Sequence, residues 1–151
     1  MFKKILVPLD GSELAASILP QVAELARKFQ SELILIHVSP GLEQEGEPPP
    51  GTTAAAVLQT CQAYLGMLGK ELNRDLKVEV ACVRGNVARE ILKYAADHQV
   101  DLIAMATHGS GEVAWLLGSI ARKVITHASR PVMVFRVLEV ETPPLKKTAR
   151  T

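Results

Sequence analysis

Two stretches of this chain hold residue types able to grip a phosphorylated ligand. The first is Leu9-Asp10-Gly11-Ser12, where a carboxylate directly follows a short apolar run. An ionised aspartate accepts two hydrogen bonds and suits a pair of sugar hydroxyls, although Asp before Gly and Ser also makes an Asx-type turn. The second is the run from Met105 to Ser119, in which Gly109, Gly111 and Gly118 lead into Ile120, Val124 and Ala128 at helical spacing. Ser119 is the N-cap expected of that helix. A helix start fed by a glycine loop turns backbone N–H groups outward, and with the helix dipole these favour an anion such as phosphate. Short strand-to-helix turns also use Gly and Ser, so the loop alone leaves both readings open.

Other chemistry is harder to find. The four histidines show no metal-ligand spacing; His108 beside the glycine loop reads as a hydrogen-bonding loop residue and His37 as structural. No GxSxG, no Cys/His pair at diagnostic spacing and no Walker lysine occurs. Catalytic and metal-binding residues are therefore expected to be absent. Trp115, between Ala114 and Leu116, reads as core. Cys61 and Cys82 fit no CxxC spacing and fall on apolar positions, so both are expected to be buried thiols.

The elements that must carry these residues alternate. Ile5 to Leu9 reads as a first strand, and Pro8 should stop its pairing. Leu14, Ile18, Val22, Leu25 and Phe29 mark one helix from Ser12 to Phe29, bent rather than ended by Pro20. A second strand, Glu32 to Val38, precedes a Pro- and Glu-rich loop over 39–53. Leu58, Cys61, Leu65, Leu68 and Leu72 form the stripe of a second helix. Lys77 to Val83 is a third strand at a sheet edge, and Val87, Ile91, Tyr94, Ala95 and His98 mark a third helix. The unbroken apolar run 102–106 is a strand covered on both faces, and 131–137 is a fifth. Five strands alternating with four helices predict an α/β fold with a parallel sheet and helices on both faces. Such sheets bind ligands beyond the strands' carboxyl ends, where strand order reverses. Spacing leaves open whether the first and fourth strands are neighbours, which is what would bring Asp10 to the glycine loop.

Composition sets the outer bounds. With 151 residues and 48% hydrophobic content the chain can bury one core, expected over 1–138, with a disordered tail over 139–151. Seventeen basic against sixteen acidic residues, a net charge of +1, argue against a nucleic-acid partner. No apolar run is long enough to span a bilayer, and none near the N-terminus resembles a signal-peptide core, so no membrane association and a cytoplasmic location are expected.

From Ile5 to Val137 the chain resembles the universal stress protein family. The resemblance rests on Val7-Pro8-Leu9-Asp10-Gly11-Ser12, His37-Val38, Asp101 through Gly109, Leu116-Leu117-Gly118-Ser119-Ile120-Ala121 and Ala128 through Val134. It implies a Rossmann-like, adenine-nucleotide alpha-hydrolase-like sheet of order 3-2-1-4-5, and homodimers formed through the fifth strand, where Val132 and Val134 lie. One branch of the family binds ATP through Gly, two residues, Gly, nine residues, Gly, then Ser or Thr. By that resemblance Gly109, Gly118 and Ser119 stand at motif positions. Asp10 would meet the ribose, Pro8, Leu9, Val38 and Met105 would surround the base, and the backbone at Ser119 and Ile120 would hold phosphate.

The chain departs from this pattern in that Ala106 replaces the first glycine and eight residues separate Gly109 from Gly118. Alanine costs about 1–2 kcal/mol if that glycine serves a positive φ, or needs room for one methyl if it serves close approach. The lost residue removes roughly 3.5 Å of reach. Glu112 in the same loop would repel a phosphate by about 3 kcal/mol at about 5 Å and an effective dielectric of about 20.

The expected function is thus a stress-response sensor or regulator that binds ATP or another adenine nucleotide, with Mg2+ an open addition. It would have at most slow incidental ATP hydrolysis. The alternative is a nucleotide-free dimeric interaction module of the same family. An adenylating ATP pyrophosphatase fits poorly, since Leu9-Asp10-Gly11-Ser12 is not the loop it needs. A phospho-receiver domain fits poorly too, because the first strand carries a single aspartate and the fifth no lysine.

Overall fold

The computed structural model describes residues 1–41, 51, 53–107 and 117–137. Gly109, Glu112, Trp115 and His108, most of the Pro-rich stretch after Ser39, and the tail from 138 onward lie outside the described residues. In chain order the elements are β1 (Lys4–Pro8), α1 (Glu13–Ala16), α2 (Leu19–Phe29), β2 (Glu32–Ser39) and α3 (Ala54–Leu72). They continue as β3 (Val78–Arg84), α4 (Val87–Asp97), β4 (Leu102–Ala106), α5 (Ser119–His127) and β5 (Val132–Phe135).

All pairings in the single five-stranded sheet are parallel, in the order β3-β2-β1-β4-β5. β1 sits in the middle, pairing Ile5 with Leu33 on one side and with Leu102 on the other. Side chains alternate across it. Ile5 and Val7 join the core under α1, α2 and α3, whereas Leu6 joins the core under α4 and α5. β4 is buried at every residue, as its unbroken apolar run requires. Strand order therefore reverses between β1 and β4, the arrangement that opens a crevice at their carboxyl ends.

Four expectations need correction. The helix expected from Ser12 to Phe29 is two, because Pro20 lacks an N–H and its ring collides with the preceding turn. α1 stops at Ala16 with Ser17 Oγ donating to Leu14 O at 2.6 Å, and α2 restarts with Pro20 in its first turn, where no N–H is needed. The helical stripe on α3 is only partly inward: Leu65 is buried, but Leu58 is 45% exposed. The N-cap of α5 is Gly118, not Ser119, which is the first helical residue. Finally, Cys61 and Cys82 are not free thiols but a disulfide with Cα atoms 6.2 Å apart. Docking of α3 on β3 brings together two cysteines that their separation of 21 residues gave no reason to pair. Among the described residues, no helix is long and apolar enough to cross a membrane.

Candidate functional site

A cavity of about 250 Å³ opens at the carboxyl ends of β1, β2 and β4. Pro8, Leu9 and Asp10 leave β1 into it, Val38 and His37 come from the end of β2, and Met105 and Ala106 from the end of β4. Val87 and Ile91 of α4 and Ile120 and Ala121 of α5 close it from the other face. Seven of the ten residues singled out by resemblance thus share one cavity: Pro8, Leu9, Asp10, Val38, Met105, Ala106 and Ile120. Gly118 and Ser119 start the helix that delivers Ile120, and Gly109 lies outside the described residues.

The Asp10 end is held tightly. Pro8 cannot donate to the ladder, yet pairing with β2 runs on: Leu9 N donates to Ile36 O at 2.8 Å, and the His37 ring bonds Leu9 O at 2.8 Å through Nδ1. A carbonyl only accepts, so Nδ1 carries the proton and the tautomer of the neutral ring is fixed. Gly11, at φ +90°, then turns the chain, and Asp10 Oδ1 accepts from Ser12 N at 2.9 Å and Ser12 Oγ at 2.5 Å. Ser12 Oγ in turn accepts from Ala15 N at 3.1 Å, capping α1. The Asx turn and the ligand-facing carboxylate are therefore compatible roles of one residue. Tyr64 of α3 also senses this corner. Burial above all, and then the Asp10 charge, push its hydroxyl above the usual tyrosine range.

The opposite end is organised by Thr107. Its N–H donates to Phe135 O at 2.9 Å, its carbonyl accepts from Gly118 N at 2.7 Å, and its Oγ1 accepts from Val137 N at 3.2 Å. These three bonds fix the start of α5 relative to the ends of β4 and β5. Gly118 caps that helix with φ −61° and ψ 156° and, being glycine, makes no side-chain cap bond of its own. Its first turn delivers Ile120 and Ala121 to the cavity wall. Ala106 is an ordinary β-strand residue and is not among the non-glycine residues of positive φ. The backbone-strain cost expected for alanine there does not arise, which leaves only the methyl's volume at the cavity wall.

The cavity thus combines an apolar floor, a carboxylate at one mouth and a helix N-terminus at the other. Its volume is just under the range of about 300–1,000 Å³ common for small-molecule sites. Among the described residues there is no cluster of His, Cys, Asp or Glu fit to hold a metal ion. Sequence reasoning passed over His37 as part of the site and Thr107 altogether. Their roles depend on neighbouring strands, although a histidine ending an apolar strand and a threonine opening a glycine loop were both visible.

The sequence pattern of the universal stress protein family matches residues 1–136. Universal stress protein MJ0531 of Methanocaldococcus jannaschii is 30% identical over 141 residues, covering 90% of this chain and 83% of that protein. The solved structure of MJ0577 from the same organism superposes with a TM-score of 0.80 at 32% identity, over 94% of this chain and 99% of that one. A universal stress protein from Archaeoglobus fulgidus, solved in complex with dAMP, superposes with a TM-score of 0.66 at 20% identity, over 89% and 98% of the two chains. The shared architecture is the adenine-nucleotide alpha-hydrolase-like fold.

Proposed function

This chain belongs to the universal stress protein family, and from that premise we propose that it binds an adenine nucleotide at the β1/β4 crevice and acts by occupancy as a stress-response regulator. The observation that carries the reading is the cavity itself, bounded by Asp10 at one mouth and the first turn of α5 at the other. Adenine lies on the apolar wall of Pro8, Val38 and Met105, the ribose hydroxyls donate to the Asp10 carboxylate, and phosphate takes the amides at Ser119 and Ile120. The ligand is ATP or another adenine nucleotide, and Mg2+, where present, would offset the phosphate charge. The dAMP complex of the Archaeoglobus relative supports an adenine nucleotide as the ligand class. The chain does no dedicated chemistry, works in the cytoplasm, and pairs with a second copy along β5 through Val132 and Val134.

Titration with ATP while following thermal unfolding tests this. Ligand at about one hundred times its Kd stabilises by about 2.7 kcal/mol, which for a chain of this size raises Tm by about 5–10 °C. A flat response to millimolar ATP, ADP and AMP removes the proposal. The Ala106 methyl at the cavity wall favours one second reading, a nucleotide-free dimeric module acting through partner proteins. It predicts that flat response together with an intact dimer.

A further inference from the structure

We propose that Cys61 and Cys82 form a reversible thiol–disulfide site, open to a small dithiol, whose reduction releases the N-terminal half of α3 from the sheet. α3 is weakly seated for its length: of nineteen residues only Cys61, Leu65 and Gly69 are buried. Residues 54–60 are all exposed, including the apolar Val57 and Leu58, so Cys61 is the first buried residue of the helix. Its far half is seated by the buried Leu65, with Tyr64, Leu68 and Leu72 packed against the core. Its near half is held by the bond to Cys82. Segments with few buried contacts open locally well below the free energy of global unfolding, and here a covalent tether stands where apolar burial is thin.

The bond is also reachable. It lines a cleft of about 70 Å³ with Ser39, Leu58 and Arg84. Cys61 is 6% exposed whereas Cys82, on the edge strand, is only partly covered, so Cys82 Sγ is the sulfur an incoming thiolate meets first. A bond forms from that thiolate to Cys82 Sγ, the Cys61–Cys82 bond breaks, and Cys61 leaves as a thiolate that takes up a proton. The reductant's second thiolate then attacks its own sulfur in the mixed disulfide and releases Cys82 as a thiol. Two electrons pass to the protein, and the dithiol becomes a cyclic disulfide. Cys82 is the register partner of His37, so the tether ends one strand from the pocket wall. The proposal nevertheless stands whether or not nucleotide binds.

The test is amide hydrogen exchange of the whole chain under native conditions, before and after dithiothreitol and after reoxidation with oxidised glutathione. Reduction should expose two thiols per chain. It should speed exchange over residues 54–61 by about ten-fold or more, leave the β1 and β4 amides unchanged, and reverse on reoxidation. A Cys61→Ala/Cys82→Ala double variant, shown to be folded by circular dichroism, should exchange like the reduced protein and ignore dithiothreitol. Exchange that is unchanged on reduction, a bond that yields only on global unfolding, or thiols that do not re-form it would each overturn the proposal.

Discussion

Helices α4 and α5 both aim their first turns at the same cavity, yet they end differently. Asn86 caps α4, its Oδ1 accepting from Arg89 N at 3.1 Å, so one of that helix's leading amides is already satisfied from within the chain. Gly118 caps α5 in a similar extended conformation and has no side chain with which to do so. The same element thus serves two purposes. A side-chain cap satisfies a leading amide from within the cap residue, and a glycine cap supplies no such bond of its own.

Moving the caps breaks this comparison most sharply. Gly118→Asp places a carboxylate on the α5 amides at a φ that any residue adopts. Nucleotide affinity measured by calorimetry should fall by about thirty-fold, about 2 kcal/mol, while thermal stability holds or rises by a few tenths of a kcal/mol. Retained affinity would mean that phosphate lies elsewhere. Asp10→Asn keeps an Oδ1 for the Ser12 turn but removes the charge that accepts from ribose. About ten-fold weaker nucleotide binding with little change in Tm is the expected outcome in parallel titrations and melts.

On the capped side, Asn86→Ala should cost about 1 kcal/mol of stability, a drop in Tm of about 2–4 °C, with nucleotide affinity unchanged within about two-fold. A large affinity loss there would show that α4, not α5, holds the anion. The smallest effect belongs to Ala106→Gly. Because Ala106 has ordinary strand geometry, glycine relieves no strain. It should destabilise by about 0.5–1 kcal/mol in denaturant melts and change nucleotide affinity by less than about three-fold.

Much of this architecture was legible before any coordinates. The continuous apolar run from Leu102 to Ala106 marked a strand covered on both faces, and the stripe on Val87, Ile91 and Ala95 marked a helix over one face. Both follow from side-chain periodicity, which is a local property. Pro20 was misread because a stripe that continues in register does not tell a bent helix from two short ones; that turned on whether Ser17 could close the first. Ser119 was misplaced by one position because Gly118, with nothing to donate or accept on its side chain, gives no capping signal of its own.

By itself the sequence determined the alternation of strand and helix and the presence of a carboxylate turn and a glycine-fed helix start, since these depend on backbone preferences and spacings within about twenty residues. Residue spacing left the adjacency of β1 and β4 open, the family resemblance implied it and the sheet bears it out, while only the tertiary structure decided that His37 locks Leu9, that Thr107 fixes the start of α5, and that Cys61 meets Cys82. Each of those contacts joins residues on separate elements, and their meeting is set by how the apolar faces of those elements pack rather than by anything written beside either partner.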